Sequence, residues 1–303
     1  MSGPTRVTEA LLRTMPLPRH AEGEDKDQRG RVLVIAGSVE VPGAALLAGI
    51  AALRAGAGKL QIATCRSVAP HLGLAVPEAL VLGLDETAAG GISAGEAERL
   101  AARIARCDAV LVGPGMMDLD AAALLTARLL ERVEGSPGFV LDAAALLRLG
   151  GCAAVLRRHG GRAVITPHAG EMAGLLGIPR EEVLADPLAA ARRAAAALHV
   201  VVAMKGGCTQ IVSPDGAAWS CDQGNVGLAT SGSGDTLAGI ITGLLARGAT
   251  PVEATLWGVY LHGEAGNRLA ASRGPVGFLA HELLAEIPAI MAGLNGAYSG
   301  VPN

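Results

Sequence analysis

The run Gly224-Asn225-Val226-Gly227-Leu228-Ala229-Thr230-Ser231-Gly232-Ser233-Gly234-Asp235 passes without a bulky side chain into the apolar stretch TLAGIITGLLA. Glycines let successive backbone N–H groups converge, and a helix N-terminus adds about half a positive charge. Gly232, Ser233 and Gly234 are therefore expected to form an anion hole. Asp235 is odd in that place, because a carboxylate repels a phosphate in the same nest. It reads either as a helix N-cap or as a general base or water-mediated metal partner poised where phosphate chemistry occurs. A long Gly/Ser loop ending in Asp at the lip of a helix favours the second reading.

Three further groups could share that chemistry. Lys205-Gly206-Gly207-Cys208-Thr209 follows the apolar run HVVVAM, and a lysine at a strand end beside two glycines can contact a nucleotide or simply be a solvated turn. Thr166-Pro167-His168-Ala169-Gly170-Glu171 sets His168 just before a helix, with Glu171 placed to complete a cap. Gly37-Ser38-Val39-Glu40-Val41-Pro42-Gly43-Ala44 resembles a phosphate loop but has five residues between its glycines and Ala44-Ala45 where Lys-Ser/Thr should stand. With no G-x-G-x-x-G present either, neither a Walker NTPase nor a Rossmann dehydrogenase is supported. That loop can instead line a pocket for a flat ligand, Ala44 allowing close approach. Gly113-Pro114-Gly115 and Asp142 are weaker signals that turn chemistry explains as well.

What must position these residues is a parallel sheet. RVLVIA (Arg31–Ala36), KLQIA, EALVLG, DAVLVG, GFVLD, RAVIT and HVVVAM are short apolar runs ending near Gly, Asp or Pro. Helical segments lie between several of them: Gly43 to about Leu53, Gly95–Ala105, Leu119–Val133 and Leu188–Leu198. Alternation of this kind predicts βαβ units, and ligands of such sheets bind at the carboxyl ends of the strands, where the polar and glycine-rich residues fall. TQIVSP and AAWSC, joined through Asp215-Gly216, predict a hairpin. Helices are expected over Asp235–Ala246, Pro251–Ala271 and Val276 to about Met291, and residues 1–30 as an N-terminal arm or loop.

Composition narrows the class. The chain has 303 residues with neither linker nor repeat, so one domain over 1–303 is expected. Half the residues are hydrophobic but only 2% are aromatic, and 42 are glycine, which suits close helix–sheet packing. No ~20-residue uninterrupted apolar stretch predicts a membrane span. A formal net charge of −3 without a basic run disfavours nucleic-acid binding. The start MSGPTRVTEALL lacks the pattern of a secretory signal. Cys65, Cys107, Cys152, Cys208 and Cys221, an odd number without a C-x-x-C pair, suit thiols in a reducing compartment. A cytoplasmic protein is expected.

Taken in order, these motifs resemble the ADP/ATP-dependent NAD(P)H-hydrate dehydratases, a branch of the ribokinase-like superfamily, from about Leu11 to Pro288. The resemblance rests on G-S-x-x-x-P-G-A at Gly37–Ala44, A-L-R-A-G-A-G at Ala52–Gly58 and G-P-G at Gly113–Gly115. It continues through T-P-H-x-G-E-M at Thr166–Met172, K-G-x-x-T at Lys205–Thr209 and G-N-x-G-x-A-T-x-G-S-G-D at Gly224–Asp235. It implies a three-layer α/β/α fold with a mostly parallel central sheet. It further implies repair of NAD(P)HX, the cofactor hydrated at C6 of the nicotinamide ring, by dehydration of the S epimer with ADP, or ATP in some members, and Mg²⁺. By resemblance, Ala44, Gly115 and His168 line the hydrate pocket together with Asp235, which is the base. Lys205, Gly206, Gly207, Cys208 and Thr209, with Gly234, hold the nucleotide.

The sequence departs from the family at two places of consequence. Val41 stands where an aromatic residue is usual, and Leu141-Asp142-Ala143-Ala144-Ala145-Leu146 lacks the second Asp of L-D-A-D-A-L, leaving Asp142 alone. The epimerase domain fused ahead of some members is not present in this sequence, so a separate NAD(P)HX epimerase is expected. A homo-oligomer, commonly a tetramer, is likewise what the resemblance implies. Two alternatives remain at this point. One is a kinase of the same superfamily acting on a hydroxymethyl heterocycle; the other is a nucleotide-binding protein that has lost catalysis.

Overall fold

The computed structural model describes residues 3–18, 26–135 and 137–294. Ten strands form one sheet: β1 (Thr5–Arg6), β2 (Arg31–Ile35), β3 (Lys59–Cys65), β4 (Ala79–Leu84), β5 (Ala109–Val112), β6 (Gly138–Leu141), β7 (Ala163–Ile165), β8 (Val201–Met204), β9 (Thr209–Val212) and β10 (Ala218–Cys221). Their spatial order is β1-β10-β9-β8-β7-β6-β5-β2-β3-β4. Every neighbouring pair is parallel except β8–β9 and β9–β10, the hairpin expected around Asp215-Gly216. The order brings the carboxyl ends of β8, β7, β6, β5 and β2 side by side, and with them Lys205, Thr166, Asp142, Gly113 and Gly37.

Twelve helices accompany the sheet among the described residues: α1 (Glu9–Thr14), α2 (Gly43–Arg54), α3 (Ala69–Ala75), α4 (Ala97–Ile104), α5 (Leu119–Arg132), α6 (Ala153–Arg158), α7 (Ala169–Leu176), α8 (Arg180–Ala185), α9 (Pro187–Leu198), α10 (Ser233–Ala246), α11 (Pro251–Arg273) and α12 (Ala280–Leu294). Alternate residues of one strand feed opposite cores: Val32 and Val34 pack with α2, α10, α11 and α12, whereas Leu33 and Ile35 pack with α4, α5, α7 and α9. Both faces of the sheet are covered, which is why the strands read as unbroken apolar runs. Helix boundaries follow capping chemistry. Thr250 accepts from Glu253 N while the Glu253 carboxylate accepts from Thr250 N, with Pro251 in the first turn. The last helix starts at Ala280 rather than near Val276, because Gly274 and Gly277 hold positive φ ahead of it.

Helices α2 and α10 are packed unusually closely. A Cβ on Gly239 would lie 2.3 Å from the Ala48 carbonyl oxygen, and one on Gly243 2.4 Å from that of Ala52. The two helices thus meet backbone to backbone, a distance that only Gly and Ala permit, and the pairing 243–52, 239–48 makes them run parallel. Both N-termini open at the same edge of the sheet.

Residues 3–18 are not merely an arm. Val7 N donates to the Ser220 carbonyl at 2.8 Å, adding β1 alongside β10 at the sheet edge. Leu12 of α1 is fully buried, and Trp257 Nε1 donates to the Met15 carbonyl at 2.8 Å. A two-residue strand carries no alternation to read, so only the packing reveals it. No described helix is long and apolar enough to cross a membrane.

Candidate active site

The strand ends converge on one ammonium. Lys205 Nζ, at the end of β8, donates to Asp142 Oδ1 at 2.9 Å and lies 3.7 Å from Glu171 Oε2. Asp142, at the end of β6 and only 2% exposed, also accepts from Thr166 Oγ1 at 2.7 Å. Across from this cluster a Cβ on Gly234 would stand 3.4 Å from Nζ, so Lys205 faces the first turn of α10. Burial alone would lower the Lys205 pKa, but Asp142, Glu171 and Asp235 together raise it. The ammonium stays charged, and it is the fixed cation of the site.

Asp235 occupies the third position of α10, not the N-cap. Gly232 takes the cap with φ +86, a left-handed conformation that L side chains rarely adopt; a Cβ there would also meet Leu47 Cδ1 at 2.5 Å. Moving the helix start upstream frees the Asp235 carboxylate from capping. Its pKa is pushed up to about 6, by burial first and then by the Asp142 charge, with Lys205 opposing. A carboxylate with that value is largely ionised at neutral pH yet accepts a proton readily, the property a general base needs.

A cavity of about 700 Å³ opens beside these groups. Lys205, Gly206, Gly207, Thr209, Ser233, Gly234 and His168 line it, with Gln223, Asn225, Thr230, Leu237, Val259 and His262. Seven residues singled out in the sequence are therefore brought together. Cys208 is exposed, and its Sγ accepts from Gln210 Nε2 at 3.4 Å instead of lining the cavity. His168 is the N-cap of α7: its Nδ1 accepts from Gly170 N at 3.0 Å and Glu171 N at 3.2 Å, and Glu171 Oε2 accepts from His168 N at 2.7 Å. Its Nε2 lies 3.5 Å from Glu171 Oε1, and the residue also lines the cavity, so His168 is both structural and a cavity residue.

Ala44 and Gly115 form a separate seam. A Cβ on Gly115, at φ +65, would fall 2.5 Å from Ala44 Cβ and 2.8 Å from the Val41 carbonyl. Gly37 N donates to the Pro114 carbonyl at 2.7 Å and Ser38 Oγ accepts from Val41 N, so the loops after β2 and β5 are tied together there. Asp235 is not among the residues lining the cavity, but it follows Gly234, which is, and it feels the charges of both Lys205 and Asp142.

Several participants were not legible beforehand. The sequence marks Glu171 only as a cap, and its second role beside Lys205 depends on β7 and β8 being neighbours. His262 sits inside α11 with no local signal; its Nε2 is 2.9 Å from Ser233 Oγ. Asn267 Nδ2 donates to Gln223 Oε1 at 2.9 Å, and Asn225 Nδ2 to Asn267 Oδ1 at 3.3 Å, anchoring the glycine loop to α11. No three His, Cys, Asp or Glu among the described residues group as metal ligands. A larger groove, about 820 Å³, lies at the opposite edge of the sheet beside Arg31 and Lys59, the first residues of β2 and β3, and of the motif residues it touches Gly58 but none of the candidate site residues.

Comparison with known proteins identifies the family and the fold. The model of the family described as NAD(P)H-hydrate dehydratase matches residues 32–289. An ADP-dependent (S)-NAD(P)H-hydrate dehydratase of Xanthomonas campestris is 50% identical, over 96% of this chain and 98% of that one. A bifunctional NAD(P)H-hydrate repair enzyme of Moorella thermoacetica is 40% identical over 95% of this chain, which spans 54% of that longer protein. Among solved structures, the ADP/ATP-dependent NAD(P)H-hydrate dehydratase of Bacillus subtilis, co-crystallised with ATP and Mg²⁺, superposes with a TM-score of 0.81 at 31% identity, covering 97% of this chain and 100% of that one. Ribokinase of Thermotoga maritima, 14% identical over 84% of this chain and 99% of its own, shares the fold at a TM-score of 0.52. The fold is ribokinase-like, and the chain belongs to the NAD(P)H-hydrate dehydratase family.

Proposed function

We propose that the chain dehydrates (6S)-NAD(P)HX at the expense of ADP, giving NAD(P)H, AMP and phosphate. The observation that carries this reading is the half-buried Asp235 carboxylate in the first turn of α10, directly after the Gly232–Gly234 turn and within electrostatic reach of Lys205 and Asp142, with its pKa pushed up to about 6. The nucleotide occupies the cavity, with its phosphates toward Lys205, Ser233 and Gly234, while the hydrated nicotinamide lies along the seam with His168 at its rim. Asp235 takes the proton from the C6 hydroxyl as that oxygen attacks the terminal phosphorus of ADP, and the bond to the AMP oxygen breaks. Loss of phosphate from C6, with the C5 proton, restores the dihydropyridine. Positioning and charge stabilisation dominate such a transfer, so one base, one ammonium and a helix N-terminus suffice.

The residues around Lys205 do not make a protein-held Mg²⁺ cage, since Asp142 and Glu171 already serve the lysine and capping bonds. A Mg²⁺ ion brought in with the nucleotide would supply charge neutralisation of its phosphates rather than rely on side chains of this chain. ATP is accommodated by the same reading as an alternative to ADP. A cytoplasmic homo-oligomer, tetrameric by family resemblance, and a separate epimerase supplying the S epimer complete the proposal; the longer, bifunctional relative supports the link between the two activities.

The test is stoichiometric. AMP and phosphate must each appear in equal amount to the NAD(P)H formed, and only when hydrated cofactor is present. Nucleotide turnover driven by a hydroxymethyl heterocycle, with none driven by NAD(P)HX, would replace this reading with the kinase alternative.

A further inference from the structure

His262, paired with Ser233, is the cavity residue to which the proposed reaction gives no part. Ser233 is the first residue of α10, its side chain buried, and its Oγ is 2.9 Å from Nε2 of His262 on α11. Both residues line the nucleotide cavity. Burial lowers the His262 pKa to about 4; Ser233 backbone favours a proton on the ring and Lys205 disfavours it further. The imidazole is therefore neutral, and its part in an anion site is direction rather than charge.

A neutral imidazole and a hydroxyl can pair in two ways. If Ser233 Oγ–H donates to Nε2, the oxygen lone pairs are left facing the cavity. Phosphate oxygens carry lone pairs only, so that arrangement repels the ligand. If Nε2–H donates to Oγ, the hydroxyl hydrogen is released toward the cavity and the chain runs imidazole N–H to hydroxyl to phosphate, each bond polarising the next. Resting on the reading of this cavity as the ADP site, we propose that His262 is a positioning residue whose Nε2–H turns the Ser233 hydroxyl into a donor to a nucleotide phosphate oxygen.

The pair makes a specific demand on ligand chemistry. The gain belongs to the phosphate alone, so the affinity for ADP should depend on the pair and that for adenosine should not. A merely structural role for His262 would weaken both. Calorimetric titration of ADP and of adenosine into the unaltered protein, Ser233→Ala, His262→Ala, His262→Gln and the double alanine variant separates the cases. Each single alanine change is expected to weaken ADP binding roughly tenfold, the scale of a lost hydrogen bond to a charged group. Adenosine affinity stays as it was, the double variant binds no worse than either single one, and His262→Gln, which keeps an N–H donor, recovers most of the loss. In turnover, KM for ADP rises with kcat changed less, as for an interaction present before the transition state.

Equal losses for ADP and adenosine, additive losses in the double variant, or unaltered ADP binding by His262→Ala would overturn the role of the pair. The functional reading fails separately, by absence of NAD(P)HX-dependent turnover in unaltered protein that binds ADP, and the titrations then still decide the pair. Unaltered protein that binds no ADP overturns both.

Discussion

Replacing Asp235 by Asn should abolish turnover and make the protein more stable. The pKa of Asp235 rises from 3.8 to about 6 in the folded chain, chiefly because burial opposes its charge. A folded-state pKa above the unfolded one means that the native protein holds the proton more tightly. The charged form is therefore a penalty on folding that is absent below about pH 4, grows between about pH 4 and 6, and is complete above. About two pKa units correspond to roughly 3 kcal/mol at neutral pH, an upper bound because the group is partly open to solvent, and about half of that at pH 5. Asn removes the charge with little change of shape, so Tm at about pH 8 should rise by roughly 5 °C, and the advantage should shrink on acidification. Thermal unfolding of both proteins across that pH range, alongside the pH dependence of kcat/KM, checks the argument. The unaltered enzyme should lose activity on the acid side with an apparent pKa of about 6. A lower Tm for Asp235→Asn, a stability gain independent of pH, or substantial residual turnover would refute it.

Other consequences follow from the same contacts. Lys205→Met strands the buried Asp142 carboxylate beside Thr166, and should cost roughly 3–5 kcal/mol in denaturant unfolding. It also removes the group that lowers the Asp235 pKa, so any residual activity should show its acid limb at higher pH. Gly115→Ala drives a Cβ to 2.5 Å from Ala44 at positive φ; KM for the hydrated cofactor should rise while calorimetric ADP affinity is unchanged. Gly239→Val forces α10 away from the Ala48 carbonyl, and urea unfolding should register a loss of roughly 2–4 kcal/mol from overpacking and separation of the two helices.

Much of this site was legible because a parallel sheet writes its chemistry at strand ends. Lys205, Thr166, Asp142, Gly113 and Gly37 each follow a short apolar run, and the parallel order of β8, β7, β6, β5 and β2 sets them in a row. What stayed hidden depends on contacts between elements distant in the chain. His262 lies in mid-helix among residues with an ordinary helical pattern, and only the packing of α11 against α10 brings it to Ser233. Asp142 looked like turn chemistry until β8 supplied the lysine. The helix expected from Asp235 starts two residues earlier, at Ser233, because Gly232 in the left-handed region takes the N-cap, which leaves Asp235 free for the general-base reading the sequence favours. The strand at Thr5–Arg6 is too short to carry a period, and exists because β10 offers it an edge.

The most direct measurement is the near-ultraviolet absorbance of reduced nicotinamide after the purified protein is added to (6S)-NADHX with ADP and Mg²⁺, beside Asp235→Asn. The account predicts an ADP-dependent rise with the unaltered chain and a flat trace with the variant. A flat trace from the unaltered protein with both ADP and ATP, or an equal rise from Asp235→Asn, would contradict it.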